Sequence, residues 1–243
     1  MSRPGPLVLL EDIQAGYGLR RRRQPILRGL DLRLEPGTST AVVGANGAGK
    51  TTLIRILLGL LRPWSGRVCV GGRAPSEYRA TGAVSYVPEE VALPPGWTVE
   101  GLVAEGARLR GYRGKRRRAR TRRSLADLGL GGFVGVSVET LSRGAARRTA
   151  MAFALARRSP GLVLLDEPLG GLDAASRTRA RILVARLRQR GATVLVTTHE
   201  LREVDSLADT AVVLSGGRIA ARLAQTELSR LEDAVRHSEP GSS

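Results

Sequence analysis

The stretch Gly44-Ala45-Asn46-Gly47-Ala48-Gly49-Lys50-Thr51 follows the spacing G-x-x-x-x-G-K-[ST] and decides how the rest of the chain reads. Ser39 to Val43 before it is an apolar run of strand length, and Thr52 to Leu60 after it reads as the opening of a helix. A strand, a glycine loop and a helix N-terminus in that order aim several backbone N–H groups at one anion, and the helix adds its partial positive charge. Lys50 is then placed to reach the β- and γ-phosphates of a nucleotide, and the Thr51 hydroxyl to ligate Mg²⁺. A glycine-rich turn that merely joined strand to helix would not need all four fixed positions.

Composition bounds the rest. The 243 residues fit one large domain or two small ones. Hydrophobic residues make up 42%, and no uncharged apolar run reaches the length of about 20 residues needed to cross a bilayer. The opening Met1-Ser2-Arg3-Pro4-Gly5-Pro6 lacks the layout of a signal peptide, so the expected location is the cytoplasm, or its membrane face where a partner holds the chain there. One cysteine, Cys69, and two histidines, His199 and His237, exclude an internal disulfide and a Cys/His metal cluster, and Cys69 reads as a small core residue. The net charge of +17 comes almost wholly from arginine, with Lys50 and Lys115 the only lysines. Two readings stay open: an anionic partner, nucleic acid or a lipid surface, or arginine as the habitual surface cation. Arginines are scattered through every segment apart from the runs Arg20 to Arg23 and Arg113 to Arg123, and aromatics at 3% are too few for base-stacking platforms.

Taken in order, Leu7 to Ile13 reads as a strand ended by a flexible turn at Ala15-Gly16-Tyr17-Gly18, which leaves Tyr17 exposed on a loop. Ile26, Leu30, Leu32 and Leu34 give a second strand before the turn Glu35-Pro36-Gly37. Pro63 to Gly66 turns into a strand from Arg67 to Val70, with Gly71-Gly72 closing an apparent hairpin, and Ala83 to Val87 is another strand. From Thr98 to Gly129 the apolar spacing becomes helical, and Leu141 to Arg158 is a further helical unit that Ser142 would cap.

Gly161 to Leu165 has the continuous apolar character of a strand buried on both faces, and it ends in Asp166-Glu167. Function in parallel sheets collects at the carboxyl ends of strands. Adjacent residues of an extended chain point opposite ways, so Asp166 suits the Mg²⁺ shell and Glu167 suits polarising an attacking water. Asp173 is placed to cap a helix from Ala174 to Arg190. Ala192 to Thr197 is a further buried strand, and His199 at its carboxyl end reads as a γ-phosphate sensor. A short helix from Leu201 to Leu207, a hairpin across Ser215-Gly216-Gly217, a helix from Glu227 to Val235 and a disordered tail complete the chain.

These motifs together resemble the nucleotide-binding subunit of an ATP-binding cassette (ABC) transporter, over about Leu7 to Val235. The order is Gly44 to Thr51, Tyr86-Val87-Pro88-Glu89, Leu141-Ser142-Arg143-Gly144-Ala145, Asp166-Glu167, Leu172-Asp173 and His199, and six linked motifs are far more specific than any one. The resemblance implies an α/β fold: a P-loop NTPase core of mainly parallel sheet with an antiparallel β subdomain and an inserted α-helical subdomain. It implies one domain over 1–243, with the core at about 7–88 and 159–235, the helical subdomain at 89–158 and a flexible tail at 236–243. ATP and Mg²⁺ are the implied ligands. Tyr17 would stack on adenine; Gly44, Asn46, Gly47, Ala48, Gly49, Lys50, Thr51 and Thr52 would cradle phosphate; Thr51, Glu89 and Asp166 would face the metal. Glu167 and His199, with Lys50, would carry the chemistry, while Ser142, Gly144 and Asp173 would serve ATP held by a second copy or a related ATPase subunit.

Glu89 stands where glutamine is usual, and Arg143 and Ala145 replace glycine and glutamine of the LSGGQ signature. The first two departures resemble the drug- and antibiotic-export branch that pairs with ABC-2-type permeases. The expectation is therefore an export ATPase docked on an integral membrane permease beside 89–123, with Arg113 to Arg123 acting on an external anionic surface. The alternatives are a nucleic-acid- or ribosome-associated cassette, disfavoured because there is neither a second cassette nor a long coiled coil, and a weakly hydrolysing regulatory subunit.

Overall fold

The computed structural model describes residues 5–18, 23–156 and 161–238. The tract Arg20 to Arg22, the end of the helical unit at Arg157-Arg158 and the tail 239–243 lie outside the described residues. In chain order the elements are β1 (Val8–Tyr17), β2 (Gln24–Leu34), β3 (Ser39–Val43), α1 (Lys50–Leu57), β4 (Ser65–Val70), α2 (Pro75–Ala80), β5 (Val84–Val87), α3 (Val99–Leu109) and α4 (Gly114–Asp127). They continue with α5 (Arg143–Ala154), β6 (Leu162–Asp166), α6 (Ala174–Gln189), β7 (Thr193–Thr198), α7 (Val204–Leu207), β8 (Thr210–Ser215), β9 (Arg218–Ala224) and α8 (Leu231–Ser238).

Two sheets result. The larger has the order β5-β6-β7-β3-β8-β9, parallel except for the β8–β9 hairpin, and the smaller is antiparallel in the order β2-β1-β4. β6 shows why its sequence is apolar throughout: Val163 and Leu165 pack on one face with Val103, Leu125 and Met151 from the helical layer, while Leu162 and Leu164 pack on the other with Leu53 and Ile56 of α1. Each such side chain contributes about 1.5–3 kcal/mol on burial, so a strand flanked on both faces has no place for a polar residue until it leaves the sheet at Asp166. The α/β class, the antiparallel β subdomain and the helical region all stand as the resemblance implies.

Local readings are corrected where the extent or burial of an element depends on its neighbours. β1 runs on through Tyr17 because Gly16 pairs with Pro25 and Tyr17 with Gln24, and a Cβ at Gly16 would sit 2.0 Å from the Gln24 carbonyl oxygen. β2 is an edge strand, which is why Pro25 can sit in it. The turn at Gly71-Gly72 closes a tight antiparallel bridge, with Val70 and Arg73 exchanging backbone hydrogen bonds at 2.8 and 3.0 Å, but no second strand follows: β4 pairs with β1, and the chain turns into α2, which alternation did not reveal. Cys69 in β4 is half-buried rather than a core residue, because this strand is an edge of the small sheet. Residues 236–238 close α8, so a tail that starts at 236 is corrected to that extent.

Candidate functional site

Five strands run in one direction, so the residues that follow β3, β5, β6 and β7 emerge at one edge of the sheet. This edge gathers the 44–51 loop, Glu89, Asp166-Glu167 and His199, which are spread over more than half the sequence. The loop is tight for identifiable reasons. A Cβ on Gly44 would lie 2.4 Å from the Leu214 carbonyl oxygen, and Gly49, the residue before α1, has φ 112° with Leu27 only 2.6 Å from where a Cβ would be. Lys50 is buried; its Nζ donates to the Gly44 carbonyl at 2.6 Å and to the Ala45 carbonyl at 3.4 Å. α1 carries no acid in its first turn, so its N-terminal charge is left for an anion.

A cavity of about 510 Å³ lies over the start of α1, lined by Tyr17, Asn46, Gly47, Gly49, Lys50, Thr51, Thr52, Glu89 and Asp166, among others. Gly44 and Ala48 open instead, with Asn46 and Gly47, onto a neighbouring cavity of about 530 Å³ beside Val213 to Gly217. Tyr17, read as a free loop residue, ends β1 and is held against α1: Arg55 Nη1 donates to its hydroxyl at 2.7 Å, the guanidinium carbon lies 5.7 Å from the ring centroid, and Thr52 Oγ1 is 3.4 Å away. The ring remains partly exposed at the cavity wall.

Asp166 is buried and its Oδ1 accepts from Thr197 Oγ1 on the adjacent strand. Burial pushes its pKa up, the negative Glu89 and Glu167 add to that, and the Thr197 hydrogen bond and Lys50 oppose it. The same acid helps burial push the Tyr86 phenol up to about 12. Glu167 is not extended: with φ 47° it turns in the left-handed region, its N–H donating to the Thr197 carbonyl at 3.1 Å. That turn, and not strand alternation, sets the carboxylate's direction, and both acids come close to Lys50. Glu167 Oε1 lies 3.5 Å from Lys50 Nζ and 2.9 Å from His199 Nδ1, yet it is buried without a hydrogen bond of good geometry. An acceptor of this kind suits a water proton. His199, just beyond β7, keeps about half of its side chain exposed.

The donor set fits Mg²⁺. A hydroxyl, Thr51, and two carboxylates, Asp166 and Glu89, line one cavity with Lys50, all hard oxygen donors.

Ser142, Gly144 and Asp173 do not line the phosphate cavity. Ser142 caps α5, its Oγ accepting from the Ala145 N–H at 3.3 Å, and Asp173 caps α6, accepting from the Ser176 N–H at 2.7 Å, which holds the Asp173 carboxyl below its ordinary range. Ser142, Arg143 and Asp173 are exposed and Gly144 partly so, hence any phosphate they serve is not the one over Lys50 of the same chain.

Sequence reasoning missed Arg147. It is 3% exposed on α5, and its two terminal nitrogens donate to the carbonyls of Glu167 and Glu89, stapling α5 to the Glu167 turn and to the Glu89 loop. Burial lowers its pKa, and nearby Arg143 lowers it further. Its spacing from Met151 and Ala154, four and seven residues on, was the available signal, because these three fall on one buried face. Arg147→Met should cost about 2–4 kcal/mol, since hydrogen bonds to a charged donor are worth about 1.5–3 kcal/mol each and the Glu89 carbonyl loses its partner. Urea unfolding checks this, and an unchanged midpoint would count against the staple.

The sequence profile described as "ABC transporter" matches residues 27–170, more than half of the chain. The chain is 40% identical over 206 residues to the aliphatic sulfonates import ATP-binding protein SsuB 3 of Nocardia farcinica, covering 84% of this chain and 77% of that protein. It is 39% identical to the taurine import ATP-binding protein TauB of Pseudomonas aeruginosa, covering 88% and 81%. The Fe(3+) ions import ATP-binding protein FbpC of Brucella melitensis is 37% identical, but this chain spans only 61% of its length. Among solved structures, the ATP binding subunit of an ABC transporter superposes with a TM-score of 0.82 at 25% identity, covering 94% of each chain. A post-hydrolysis cassette bound to ADP and Pi shares the fold with a TM-score of 0.81 at 24% identity, covering 90% of this chain and 98% of that one.

The relatives named here belong to import systems, so the export expectation drawn from Glu89 and Arg143 finds no support. A local reason for both departures is visible: Glu89 and Arg143, with Glu90 and Arg147, line one cavity of about 380 Å³, where opposite charges share a wall. With the phosphate loop, the carboxylate strand and the histidine on one sheet edge, and with these relatives, the chain belongs to the ABC transporter family as an ATP-binding subunit with an ABC ATPase domain.

Proposed function

We propose that this chain hydrolyses ATP to power uptake through a separate integral membrane permease, working as a homodimer or with a closely related ATPase subunit. The convergence of Lys50, Asp166, Glu167 and His199 on one sheet edge carries this reading, with Glu167 Oε1 buried and without a hydrogen bond. The names of the relatives support the inward direction. Among the described residues no helix is long and apolar enough to cross a membrane; in this reading the chain sits at the cytoplasmic face, held there by the permease.

In this reading the 44–51 loop binds the phosphates through backbone N–H groups, and Lys50 exchanges its contacts with the Gly44 and Ala45 carbonyls for γ-phosphate oxygens. Thr51 and Asp166, with Glu89 nearby, would hold Mg²⁺, which when bound neutralises charge building on the phosphate oxygens. Glu167 orients and deprotonates the attacking water, and His199, 2.9 Å from the carboxylate, steadies it and contacts the γ-phosphate. Tyr17 offers its exposed ring face to adenine. Ser142, Gly144 and Asp173 complete the site of the other subunit, and 89–158 acts as the helical subdomain that meets the permease.

Lys50→Ala should lower Mg²⁺-dependent phosphate release by about 10²-fold or more, the usual loss when one preorganised donor to a charged transition state is removed. Release at the wild-type rate would overturn the assignment. Recovery of a polytopic membrane protein with the tagged chain, and ATP-dependent uptake by the reconstituted pair, test the coupling.

A further inference from the structure

The outer face of α4 is charged against the helix's own interest. Lys115, Arg116, Arg118, Arg122 and Arg123 are exposed on it, and the only other exposed residues between 115 and 127 are Ala119 and Ala126. Thr121, Ser124 and Leu125 lie on the opposite, buried side, and Leu125 packs with Val99, Val103 and Met151. At 3.6 residues per turn the five cations span an arc centred on the two alanines, so they form a single face.

Among the described residues only Arg123 of that face has an acidic partner, Asp127 at 4.0 Å. The first turn has no acid, the residue before the helix makes no side-chain cap, and Lys115, Arg116 and Arg117 stand where the helix dipole disfavours cations. Lys115 and Arg118, and Arg118 and Arg122, repel one another at adjacent turns. The nearest acids are committed elsewhere: Glu105 is held by Arg108 at 2.6 and 2.7 Å, and Asp127 is bonded by Arg186, leaving Arg123 at 4.0 Å from it. Among the described residues, Lys115, Arg116, Arg118 and Arg122 have no ion pair. Arg120 of α4 is used internally: it donates to the Leu155 carbonyl at 2.8 Å, and burial lowers its pKa. The helix thus separates an inward arginine that serves the fold from outward cations that do not.

We infer that the outer face of α4 docks on anionic lipid headgroups beside the permease. This rests on the membrane-peripheral reading above, which places a broad anionic surface within reach. A row of cations separated by small alanines lets phosphate groups of a flat surface approach several charges at once, and basic residues near an anionic leaflet act additively. The site needs no aromatic stacking, of which α4 offers none.

The full chain with MgATP would be sedimented with phosphatidylcholine vesicles, with and without phosphatidylglycerol, at about 150 mM salt, where weak phosphate contacts fade. It would be compared with a variant carrying Lys115→Gln, Arg116→Gln, Arg118→Gln, Arg122→Gln and Arg123→Gln, chosen because glutamine keeps helix propensity. Partitioning onto the anionic vesicles should fall at least tenfold in the variant, with circular dichroism and ATP turnover unchanged. Equal partitioning of the two proteins, or wild-type binding to neutral vesicles as strong as to anionic ones, overturns the proposal. So does retention of duplex RNA at that salt without vesicle binding, which would make the face a nucleic-acid surface. Turnover is read on the same samples: its absence in the wild-type protein sinks the ATPase reading, whereas equal partitioning sinks only this surface.

Discussion

Glu167→Gln should bind ATP within about threefold of wild type while steady-state hydrolysis falls by about 10²–10⁴-fold, the range a positioned general base supplies. The substitution keeps the shape of the side chain and the same demand on the backbone, since either residue must adopt φ 47° at this turn. What changes is the oxygen that lies 2.9 Å from His199 Nδ1 and 3.5 Å from Lys50 Nζ: it becomes one end of a neutral amide, unable to take a proton from water. In the proposed reading the phosphate contacts come from the 44–51 loop, whose backbone the substitution leaves in place while only the ion pair with Lys50 is lost. Phosphate release under saturating MgATP, paired with equilibrium binding of a fluorescent ATP analogue, separates the two quantities. Turnover within about twofold of wild type would remove Glu167 from the chemistry.

The second large effect is expected far from Lys50. Gly144→Asp should abolish ATP-dependent dimer formation and lower turnover by about 10²-fold or more, although the monomer should fold as before. A Cβ at this position would meet only the Gly171 carbonyl at 3.6 Å and Leu172 at 3.8 Å, ordinary contacts. An acid in the first turn of α5, where there is none now, also suits the helix dipole. The melting temperature should therefore stay within about 2 °C, less than a 1 kcal/mol change would produce in a chain of this size. The harm is intermolecular: a carboxylate beside Ser142 on an exposed helix start would face the γ-phosphate of the other subunit. Light scattering of the Glu167→Gln protein and of the double variant, each saturated with MgATP, reads the result directly. A monomer in the first case, or a dimer in the second, would dismantle the composite site.

Much of this site was legible in the sequence because its parts are local. Gly44 to Thr51 announces itself by spacing, since a Cβ on Gly44 would lie 2.4 Å from Leu214's carbonyl oxygen and Gly49 must adopt φ 112° before α1. Asp166 announces itself as the first charge after a doubly buried strand, and Ser142 and Asp173 as short polar residues at helix starts, where both do cap. The strands missed or shortened are those whose extent depends on a neighbour: β1 continues through Ala15-Gly16-Tyr17 because β2 supplies hydrogen-bond partners there, which no pattern within β1 records.

Local sequence therefore determined the phosphate loop, the carboxylate pair, the helix caps and the alternation of strand and helix, since each follows from backbone freedom, hydrogen-bonding chemistry or periodicity within about a dozen residues. Only the tertiary structure decided what meets what. Parallel pairing of β3, β6 and β7 puts Lys50 Nζ and His199 Nδ1 within 3.5 Å of Glu167 Oε1. The left-handed turn at Glu167 overrides strand alternation, and the burial of Arg147 joins α5 to two carbonyls 58 and 20 residues away. These depend on which distant surfaces exclude water together, and that is settled by packing across the whole sheet rather than by any one stretch of chain.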